Sequence, residues 1–466
     1  MSRLVSDRTA AAPAPGGPAA APRAGVDPVT WPDAARVPRS SPPRTAVGRL
    51  LVGRALARLP LRVRTPDGSG SGDQGPVLRL HDPAAFHRRI AVDGLIGFGE
   101  SYMAGEWDAD DLVEVLTVLA ANATALVPPA LQRLRRAWAH ATPAAQRNTP
   151  DGARDNIRRH YDLSNELFAL FLDDTMTYSA ALFRGFPADQ DVLASAQHRK
   201  IDRLLDLAGV EEGTRLLEIG TGWGELALRA AGRGARVRTV TLSREQRDLA
   251  EARIAAAGLA GSVEVELCDY RQVRGSFDAV VSVEMIEAVG AEFWPEYFAT
   301  LARVLAPGGR IALQSITMAH DRMLATNGTY TWIGKYVFPG GLIPSSEAIE
   351  REAAAHGLRI SDDAGFGPHY AETLRLWRER FTAAAGAGQV AAAGFDATFR
   401  RMWEFYLAYS EAGFRSGYLD VRQMVLARPS TAEGGGASSG GGVPGGDVPP
   451  PGGRGTDHGH EDGERR

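Results

Sequence analysis

The sequence predicts an α/β protein with a doubly wound, mostly parallel sheet. Strand and helix patterns alternate between residues 214 and 316, a glycine-rich turn joins the first strand of that series to its helix, and polar residues follow the next strand ends. Because parallel strands need crossover connections, this alternation is typical of a parallel sheet with helices on both faces.

The elements of this sheet follow one another in chain order. Strands are predicted at 214–219, 236–241, 263–267, 277–283 and 309–316. Helices are predicted at 224–231, 244–257 and 292–305, and the Leu-Ala-Pro-Gly-Gly run at 305–309 is typical of a helix end before a strand. Further helices are expected at 370–384 and 394–411, followed by a last strand at 419–427.

Composition divides the 466 residues into a core-forming part and two tails. Residues 1–45 are rich in Ala and Pro, and residues 429–466 are rich in Gly, Pro, Ser and charge, so both are expected to be disordered. Residues 154–428 carry the α/β pattern and should form the large domain.

Residues 46–125 are expected to form a small α+β domain. A strand is predicted at 77–80, a helix should begin at Asp82-Pro83, and the glycine- and aromatic-rich stretch 97–107 suggests a packed turn. The following residues, 126–153, are expected to form a basic linker or helix. An amphipathic helix of this kind can lie on anionic lipid, although a solvated helix face explains the same pattern.

Charge and cysteine content exclude several classes of protein. A net charge of −4 argues against a nucleic-acid partner, and the single cysteine, Cys268, excludes an internal disulfide framework. No run approaches the roughly 18 apolar residues of a membrane span, and the first residues lack the apolar core of a signal peptide. We therefore expect a cytoplasmic protein that is only peripherally associated with the inner face of the membrane.

The turn after the first strand of the series is the strongest local motif. Glu218 ends the strand, and Gly220, Gly222 and Gly224 follow before a helix begins near Glu225. Backbone without Cβ atoms can approach a ligand, and the free N–H groups of the helix point into the same space. The acid favours S-adenosylmethionine (SAM), whose ammonium and ribose groups need acceptors. The Gly-x-Gly-x-Gly spacing also fits a tight turn without a ligand.

The next two strand ends carry further polar groups. No acid follows the second strand, which argues against a dinucleotide; Thr241 and Gln246 can instead offer hydrogen bonds to adenosine, although simple capping by Ser243 explains the pattern equally well. After the third strand, Asp269 could accept from the adenine amino group and Tyr270 could cover the ring. A surface turn is the alternative there.

Several separated segments resemble the cyclopropane-fatty-acyl-phospholipid synthases, a family that includes the mycolic acid cyclopropane synthases. They are residues 156–165, 177–183, the glycine turn, Thr241-Leu242-Ser243, 336–341 and 413–420. The similarity extends from about residue 154 to 428, and the small domain resembles the N-terminal domain of the longer bacterial members.

The resemblance implies a Rossmann-like SAM-dependent methyltransferase with a seven-stranded sheet, acting on unsaturated acyl chains of phospholipids. It places seven residues at the cofactor: Tyr178, Ser179, Gly220, Gly222, Thr241, Gln246 and Asp269. With the strand-end candidates Glu218, Gly224, Leu242 and Tyr270, the sequence assigns eleven residues to the cofactor. The resemblance also implies that Glu287 and Tyr418 hold a bicarbonate ion near the methyl group. No metal is expected.

The chain departs from the family pattern around that ion. Ala180 stands where the cyclopropane synthases usually have Cys, and Gln314 stands where they have His. Alanine has no side-chain hydrogen bond to offer, and glutamine cannot titrate near neutral pH. Glu284 is an additional acid, three residues before Glu287, and can point into the same site if the turn is helical.

The implied chemistry is methyl transfer to an alkene, which leaves a carbocation that must be shielded from water. Glu287 is the expected base, directly or through bicarbonate, with Tyr418 orienting the anion and Glu284 and Gln314 as further candidates. Proton loss from the new methyl gives a cyclopropane; a hydride shift before proton loss gives a methylene branch, which a flavin- or NADPH-type reductase partner could reduce.

Two observations favour the branched product. The anion site is altered, and the Glu-Met-Ile-Glu-Ala-Val-Gly pattern at 284–290 resembles the fatty acid methyltransferases that make 10-methyl (tuberculostearic-type) chains. The cyclopropane synthase remains the alternative. A small-molecule N- or O-methyltransferase and a catalytically decayed lipid-binding protein are further alternatives, and a homodimer is compatible with each of them.

Overall fold

The large sheet has seven strands and confirms the predicted fold class. The computed structural model describes residues 25–123, 142–143, 146–149, 152–153, 156 and 164–429. Within that part, four short strands come first in the chain, so the strands of the large sheet are numbered from β5. They are β5 (Arg215–Ile219), β6 (Arg236–Thr241), β7 (Val263–Leu267), β8 (Phe277–Val283), β9 (Leu305–Met318), β10 (Arg359–Gly365) and β11 (Leu419–Ala427).

The strand order of this sheet is β10-β11-β9-β8-β5-β6-β7. Strands β5 to β9 pair in parallel, and β11 runs antiparallel to both β9 and β10. The order therefore reverses between β5 and β8, where ligands bind in doubly wound sheets.

Four of the seven strands have the predicted bounds. The helix Trp294–Val304 ends directly before β9, as the Leu-Ala-Pro-Gly-Gly run predicts, but β9 begins at Leu305, four residues earlier than predicted. Strand β10 was not predicted, because its mostly exposed, acidic sequence lacks an apolar alternation.

The four short strands form a second sheet. They are β1 (Arg62–Arg64), β2 (Gly70–Ser71), β3 (Val77–Leu80) and β4 (Trp107–Ala109), flanked by helices α1 (Pro32–Ala35), α2 (Pro42–Leu56), α3 (Pro83–Met103) and α4 (Leu112–Ala121). Their order is β2-β1-β3-β4. The described residues up to Arg428 form one compact unit.

The described helices of the large α/β part are numbered onward from these four. They are α5 (Asn165–Ala169), α6 (Leu193–Ala208), α7 (Glu225–Gly232), α8 (Arg244–Ala256), α9 (Ile286–Val289), α10 (Trp294–Val304), α11 (His320–Thr326), α12 (Trp332–Tyr336), α13 (Ser346–Ala355), α14 (Gly367–Gly386), α15 (Gln389–Ala392) and α16 (Ala397–Arg415). Helix α16 packs against α14 on one side and against α3 and α4 on the other.

Two expectations for the N-terminal part are wrong. Residues 25–45 are ordered: Ala34 and Ala35 are buried, and the fully buried Arg89 donates to the carbonyl oxygens of Asp33 and Ala34 at 2.6 and 2.7 Å. The short helix α1 therefore satisfies an interior guanidinium, which composition alone does not reveal.

The stretch 97–107 is mostly helix rather than a turn, because α3 continues to Met103 beyond a kink at Gly94. Its glycines allow close packing. A Cβ at Gly97 would lie 2.3 Å from the Arg89 carbonyl oxygen, and one at Gly99 would lie 2.4 Å from the Trp332 ring. Residues 1–24, 430–466 and most of the basic segment 126–153 lie outside the described residues.

None of the described helices is both long and apolar enough to cross a bilayer.

Candidate active site

A cavity of about 120 Å³ lies where β5, β6, β7 and β8 end. Its lining includes nine of the eleven residues that the sequence assigns to the cofactor: Tyr178, Ser179, Glu218, Gly220, Gly222, Thr241, Leu242, Gln246 and Tyr270. These residues come from three strand ends and the segment before α6. The parallel sheet brings them together because the carboxyl ends of its strands share one edge.

The glycine turn forms one wall of the cavity. Gly220 and Gly222 have φ angles of 98° and 54°, which L-residues with side chains rarely adopt. A Cβ on Gly222 would meet no atom within 4 Å, so this stretch of backbone borders open space. Gly224 has another role, since its Cβ would lie 3.0 Å from that of Ala250 and the residue allows α7 and α8 to pack closely.

Glu218 is the acceptor that the turn predicts. It is buried at the end of β5, and its Oε2 has no hydrogen-bond partner within the described part of the chain. Burial raises the pKa of Glu218 to about 8, although a hydrogen bond from Thr239 and the charge of Lys200 act in the opposite direction. An unpaired buried carboxyl that lines a cavity is suited to a ligand with hydroxyl or cationic groups.

Lys200 is a cavity residue that sequence reasoning missed. It is fully buried, and its Nζ donates to Ser179 Oγ at 2.6 Å. Burial lowers the pKa of its ammonium group to about 8. The signal in the sequence was a lysine on the mostly apolar face of α6, beside Ala196 and Leu204. It supplies a cation opposite the Glu218 carboxyl.

The second and third strand ends differ in what they offer. Thr241 Oγ1 donates to Gln246 Oε1 at 2.9 Å, while Ser243 caps α8 as expected. Asp269 does not line the cavity: its carboxylate receives two hydrogen bonds from the Arg271 guanidinium, at 2.9 and 2.7 Å. Tyr270 remains available to the ligand, and Asp269 positions the loop.

These residues fit SAM. The unpaired Glu218 oxygen suits its ammonium or ribose hydroxyls, Gly222 leaves room beside the backbone, and Thr241 with Gln246 offers hydrogen bonds to adenosine. The absence of an acid at the end of β6 fits SAM better than a dinucleotide.

A second group of polar side chains lies where β8 ends. Glu284 lines the cavity and has a φ angle of 52°, which is unusual for a residue with a long side chain. Its Oε1 accepts from the Ala180 amide at 3.0 Å and from Gln314 Nε2 at 2.8 Å, and its Oε2 accepts from the Tyr370 hydroxyl at 2.7 Å. We call Glu284 and these three donors the acid site.

Glu287, the expected base, bonds to other donors. Its Oε1 accepts from the Ser315 hydroxyl and from the Ile316 amide, and it is not among the residues that line the cavity. Desolvation and the nearby Glu284 charge raise the pKa of Glu287 to about 8. Glu287 is therefore largely neutral near pH 7. Burial also raises the pKa of Glu284, but its three donors act in the opposite direction and stabilise a carboxylate.

Gln314 is held in place by a second glutamine. Gln314 Oε1 accepts from Gln423 Nε2 at 2.9 Å across the β9–β11 pair, which turns the Gln314 amide nitrogen towards Glu284. Both glutamines are buried.

The assignment of Tyr418 needs correction. Gln423 pairs with Gln314 in the sheet, and Tyr418 is five residues before Gln423 in the chain. In extended backbone, five residues separate Tyr418 from that pair by roughly 16 Å. Its ring faces the Arg322 guanidinium at 5.9 Å. The tyrosine at the acid site is Tyr370, at the start of α14, where no turn motif or strand end marked it in the sequence.

Aromatic rings surround the acid site. Tyr178 lies 5.3 Å from Trp377 and 5.2 Å from Phe168 between ring centroids, and Tyr370 lies 4.5 Å from Phe414. The hydroxyl of Tyr178 bonds to that of Tyr406 at 2.5 Å. The arrangement can exclude water beside the methyl donor and can stabilise a cation through the ring faces.

Comparison with known proteins leads to the same family that the sequence motifs resemble. The sequence model described as mycolic acid cyclopropane synthetase matches residues 148–424. The tuberculostearic acid methyltransferase UfaA1 of Mycobacterium tuberculosis is 55% identical over 421 residues, which cover 87% of this chain and 97% of that protein. The cyclopropane-fatty-acyl-phospholipid synthase of Escherichia coli K12 is 35% identical over 78% of this chain and 89% of its own length.

Solved structures agree with these sequence matches. The cyclopropane synthase MmaA2 from Mycobacterium tuberculosis superimposes with a TM-score of 0.54 and 32% identity, over 59% of this chain and 98% of that one. The mycolic acid cyclopropane synthase CmaA1, complexed with S-adenosylhomocysteine and CTAB, gives the same score and identity over 59% and 97%.

Fold, cavity and relatives together define the class of protein: the chain is a SAM-dependent methyltransferase. Within that class the resemblance noted in the sequence holds. The chain belongs to the mycolic acid cyclopropane synthetase family, and its relatives include UfaA1 and the cyclopropane-fatty-acyl-phospholipid synthase of E. coli.

Proposed function

We propose that this enzyme methylates the double bond of an unsaturated acyl chain in a phospholipid and forms a methylene or methyl branch of the 10-methyl type. The observation that carries the proposal is the acid site: a carboxylate, Glu284, lies beside the SAM cavity among aromatic rings. The extensive similarity to UfaA1, whose name describes tuberculostearic acid formation, supports the branched product.

SAM, when bound, supplies an electrophilic methyl group. The residues that would hold it are Glu218, Lys200 and the Gly220–Gly222 backbone, with Thr241 and Gln246 towards the adenosine. Their burial keeps the reacting groups away from water, which protects an alkene-derived cation from hydration.

The substrate contributes the electron pair. The π electrons of the alkene form the new carbon–carbon bond, and the neighbouring carbon becomes cationic. Tyr178 lines the cavity with Trp377 packed behind it, and its ring can stabilise the positive charge. A hydride shift moves the charge to the carbon that bears the new methyl, and loss of a methyl proton then gives a methylene branch on the acyl chain.

A cyclopropane is the alternative product, because the same cation can lose a methyl proton with ring closure and without a hydride shift. The similarity to the E. coli cyclopropane-fatty-acyl-phospholipid synthase supports this alternative. The two outcomes differ in the position of the cation when the proton leaves, so product analysis separates them.

The phospholipid is proposed to be reached at an anionic bilayer surface. Residues 34–66 contain eight arginines and no aspartate or glutamate, although the whole chain carries a net charge of −4. On α2, Leu50 and Leu51 are 52% and 43% exposed beside the exposed Arg49 and Arg54. Exposed leucines between arginines are suited to the interface of an anionic membrane.

Incubation with SAM and dioleoyl phospholipid vesicles tests the reaction, with products identified by mass spectrometry and NMR. We expect a methylene-branched chain, and a methyl branch when a flavin- or NADPH-dependent reductase is added. A cyclopropane as the sole product would contradict the branched assignment. SAM binding without methyl transfer would favour the catalytically decayed lipid-binding protein. Methyl transfer only to small amines or alcohols would favour a small-molecule N- or O-methyltransferase.

Vesicle sedimentation tests the membrane surface. The double variant Leu50→Ser/Leu51→Ser should bind anionic vesicles less tightly than the wild type, while Leu324→Ser, which alters an exposed leucine elsewhere, should bind unchanged. Equal binding by both variants would place the membrane contact on another surface.

A further inference from the structure

The donors of the acid site are all used by a side chain of the protein itself. The Ala180 amide, Gln314 Nε2 and the Tyr370 hydroxyl converge on the two oxygens of Glu284 within 2.7–3.0 Å. Ala180, Gln314 and Tyr370 are buried. Three donors from three separate elements around one carboxylate form a complete binding site for a small planar anion, and Glu284 already fills it.

The residues present therefore do not fit the bicarbonate ion that the family resemblance implied. A second anion would have to displace the Glu284 carboxylate from its three donors or lie next to it in a poorly solvated site. The effect of such crowding is visible at Glu287, where the Glu284 charge adds to desolvation in raising the pKa of the carboxyl. Tyr418, the other expected ligand of the ion, precedes β11, and its ring faces Arg322 instead.

We propose that the Glu284 carboxylate takes the place of bicarbonate and accepts the proton that the methylated intermediate loses. The inference rests on the proposed function. In this step the carbon–hydrogen electron pair becomes the new carbon–carbon double bond, the proton moves to an oxygen of Glu284, and Glu284 later releases the proton to solvent. No oxidant, reductant or external anion takes part.

The backbone explains how a glutamate reaches this position. Glu284 has a φ angle of 52°, and its own amide donates to the Gln314 carbonyl oxygen at 2.7 Å. Glycine adopts this conformation without strain. Glu284→Gly should therefore fold, and it should leave the three donors free around an opening where the carboxylate was.

The decisive experiment compares the wild type, Glu284→Gly and Glu350→Gln, a control on the exposed face of α13, with and without added bicarbonate in buffers freed of carbon dioxide. Bicarbonate binding is measured by calorimetry and methyl transfer to dioleoyl phospholipid by product analysis. We expect the wild type and Glu350→Gln to bind no bicarbonate and to react at the same rate in both buffers.

Glu284→Gly should lose activity by about 100-fold or more, the usual contribution of a positioned base. Added bicarbonate should bind to this variant and raise its rate by about tenfold or more. SAM binding by calorimetry, with Glu284→Gln as a second variant of nearly unchanged volume, shows that the loss does not come from misfolding.

A wild type that binds bicarbonate, or that needs it for activity, would overturn the inference. So would a Glu284→Gly variant that keeps full activity without bicarbonate. Failure of the proposed function is distinguishable: the wild type would then transfer no methyl to phospholipid in either buffer, while bicarbonate binding to Glu284→Gly but not to the wild type would still assign the anion site to Glu284.

Discussion

The cofactor cavity and the acid site lie next to each other but are built differently. The cavity is formed by short segments, each of which begins where a parallel strand ends, such as Gly220–Gly222 after β5 and Thr241 after β6. The acid site combines Ala180, Glu284, Gln314 and Tyr370 from four distant segments. The first region is suited to any SAM-dependent reaction, whereas the second determines what happens to the methylated substrate.

The largest expected effect separates the two acids. Glu284→Gln should lower product formation by about 10²- to 10⁴-fold with SAM binding unchanged, because it removes the proton acceptor. Glu287→Gln should cost no more than about tenfold, since a largely neutral Glu287 loses little base character on substitution. Single-turnover product formation and SAM calorimetry on both variants provide the measurement.

The reverse order of effects, with Glu287→Gln inactive and Glu284→Gln active, would return the role of base to Glu287. The exposed Glu350→Gln variant is the control for a Glu-to-Gln change as such.

The next effect tests the cavity alone. Gly222→Val places a branched side chain in open space beside the cofactor backbone and should weaken SAM binding by about 100-fold or more, roughly 3 kcal/mol. Gly258→Val is the matched control, because Gly258 has a φ angle of 73°, equally open surroundings and no place in the cavity. Calorimetry with SAM should show unchanged affinity for the control, and equal losses would point to backbone strain instead.

The sequence predicted the cavity better than the acid site for a physical reason. Gly220, Glu218 and Thr241 lie at strand ends whose positions follow from hydrophobic patterns, and parallel strands bring those ends to one edge. Even there, Lys200 was missed because it approaches from a helix, and Gly224 and Asp269 serve packing and loop geometry instead.

The acid site depends on long-range pairing that no local pattern reports. Tyr370 was missed and Tyr418 was chosen in its place, since sequence order does not show that the start of α14 lies beside the end of β8. Glu284 was recognised only as an extra acid, because its positive φ angle and its three donors exist only in the folded chain. Local sequence patterns can therefore predict the fold of a family without predicting the side chains that determine its specificity.

A smaller effect concerns the donor that sequence reasoning missed. Tyr370→Phe removes the hydrogen bond to Glu284 Oε2 and should reduce product formation by about tenfold, close to the ~1.4 kcal/mol of one charge-assisted hydrogen bond. Tyr418→Phe is the matched control and should retain the wild-type rate. A larger loss in Tyr418→Phe than in Tyr370→Phe would restore the original assignment.

The smallest expected effect is a shift in the pH profile of product formation. Desolvation raises the pKa of Glu284 above its ordinary value of 4.5, while hydrogen bonds from Tyr370, Ala180 and Gln314 and the charge of Lys200 act in the opposite direction. A proton acceptor must be deprotonated, so the rate should fall as the pH decreases through this raised pKa, at higher pH than for an unperturbed glutamate.

Tyr370→Phe sharpens this test, because it removes a hydrogen bond that lowers the pKa of Glu284. The acid limb of the variant should therefore move to higher pH than that of the wild type, whereas Tyr418→Phe should leave the limb in place. Rates at saturating SAM across the acid range measure both limbs. An acid limb that stays fixed in Tyr370→Phe would show that a group other than Glu284 controls proton removal.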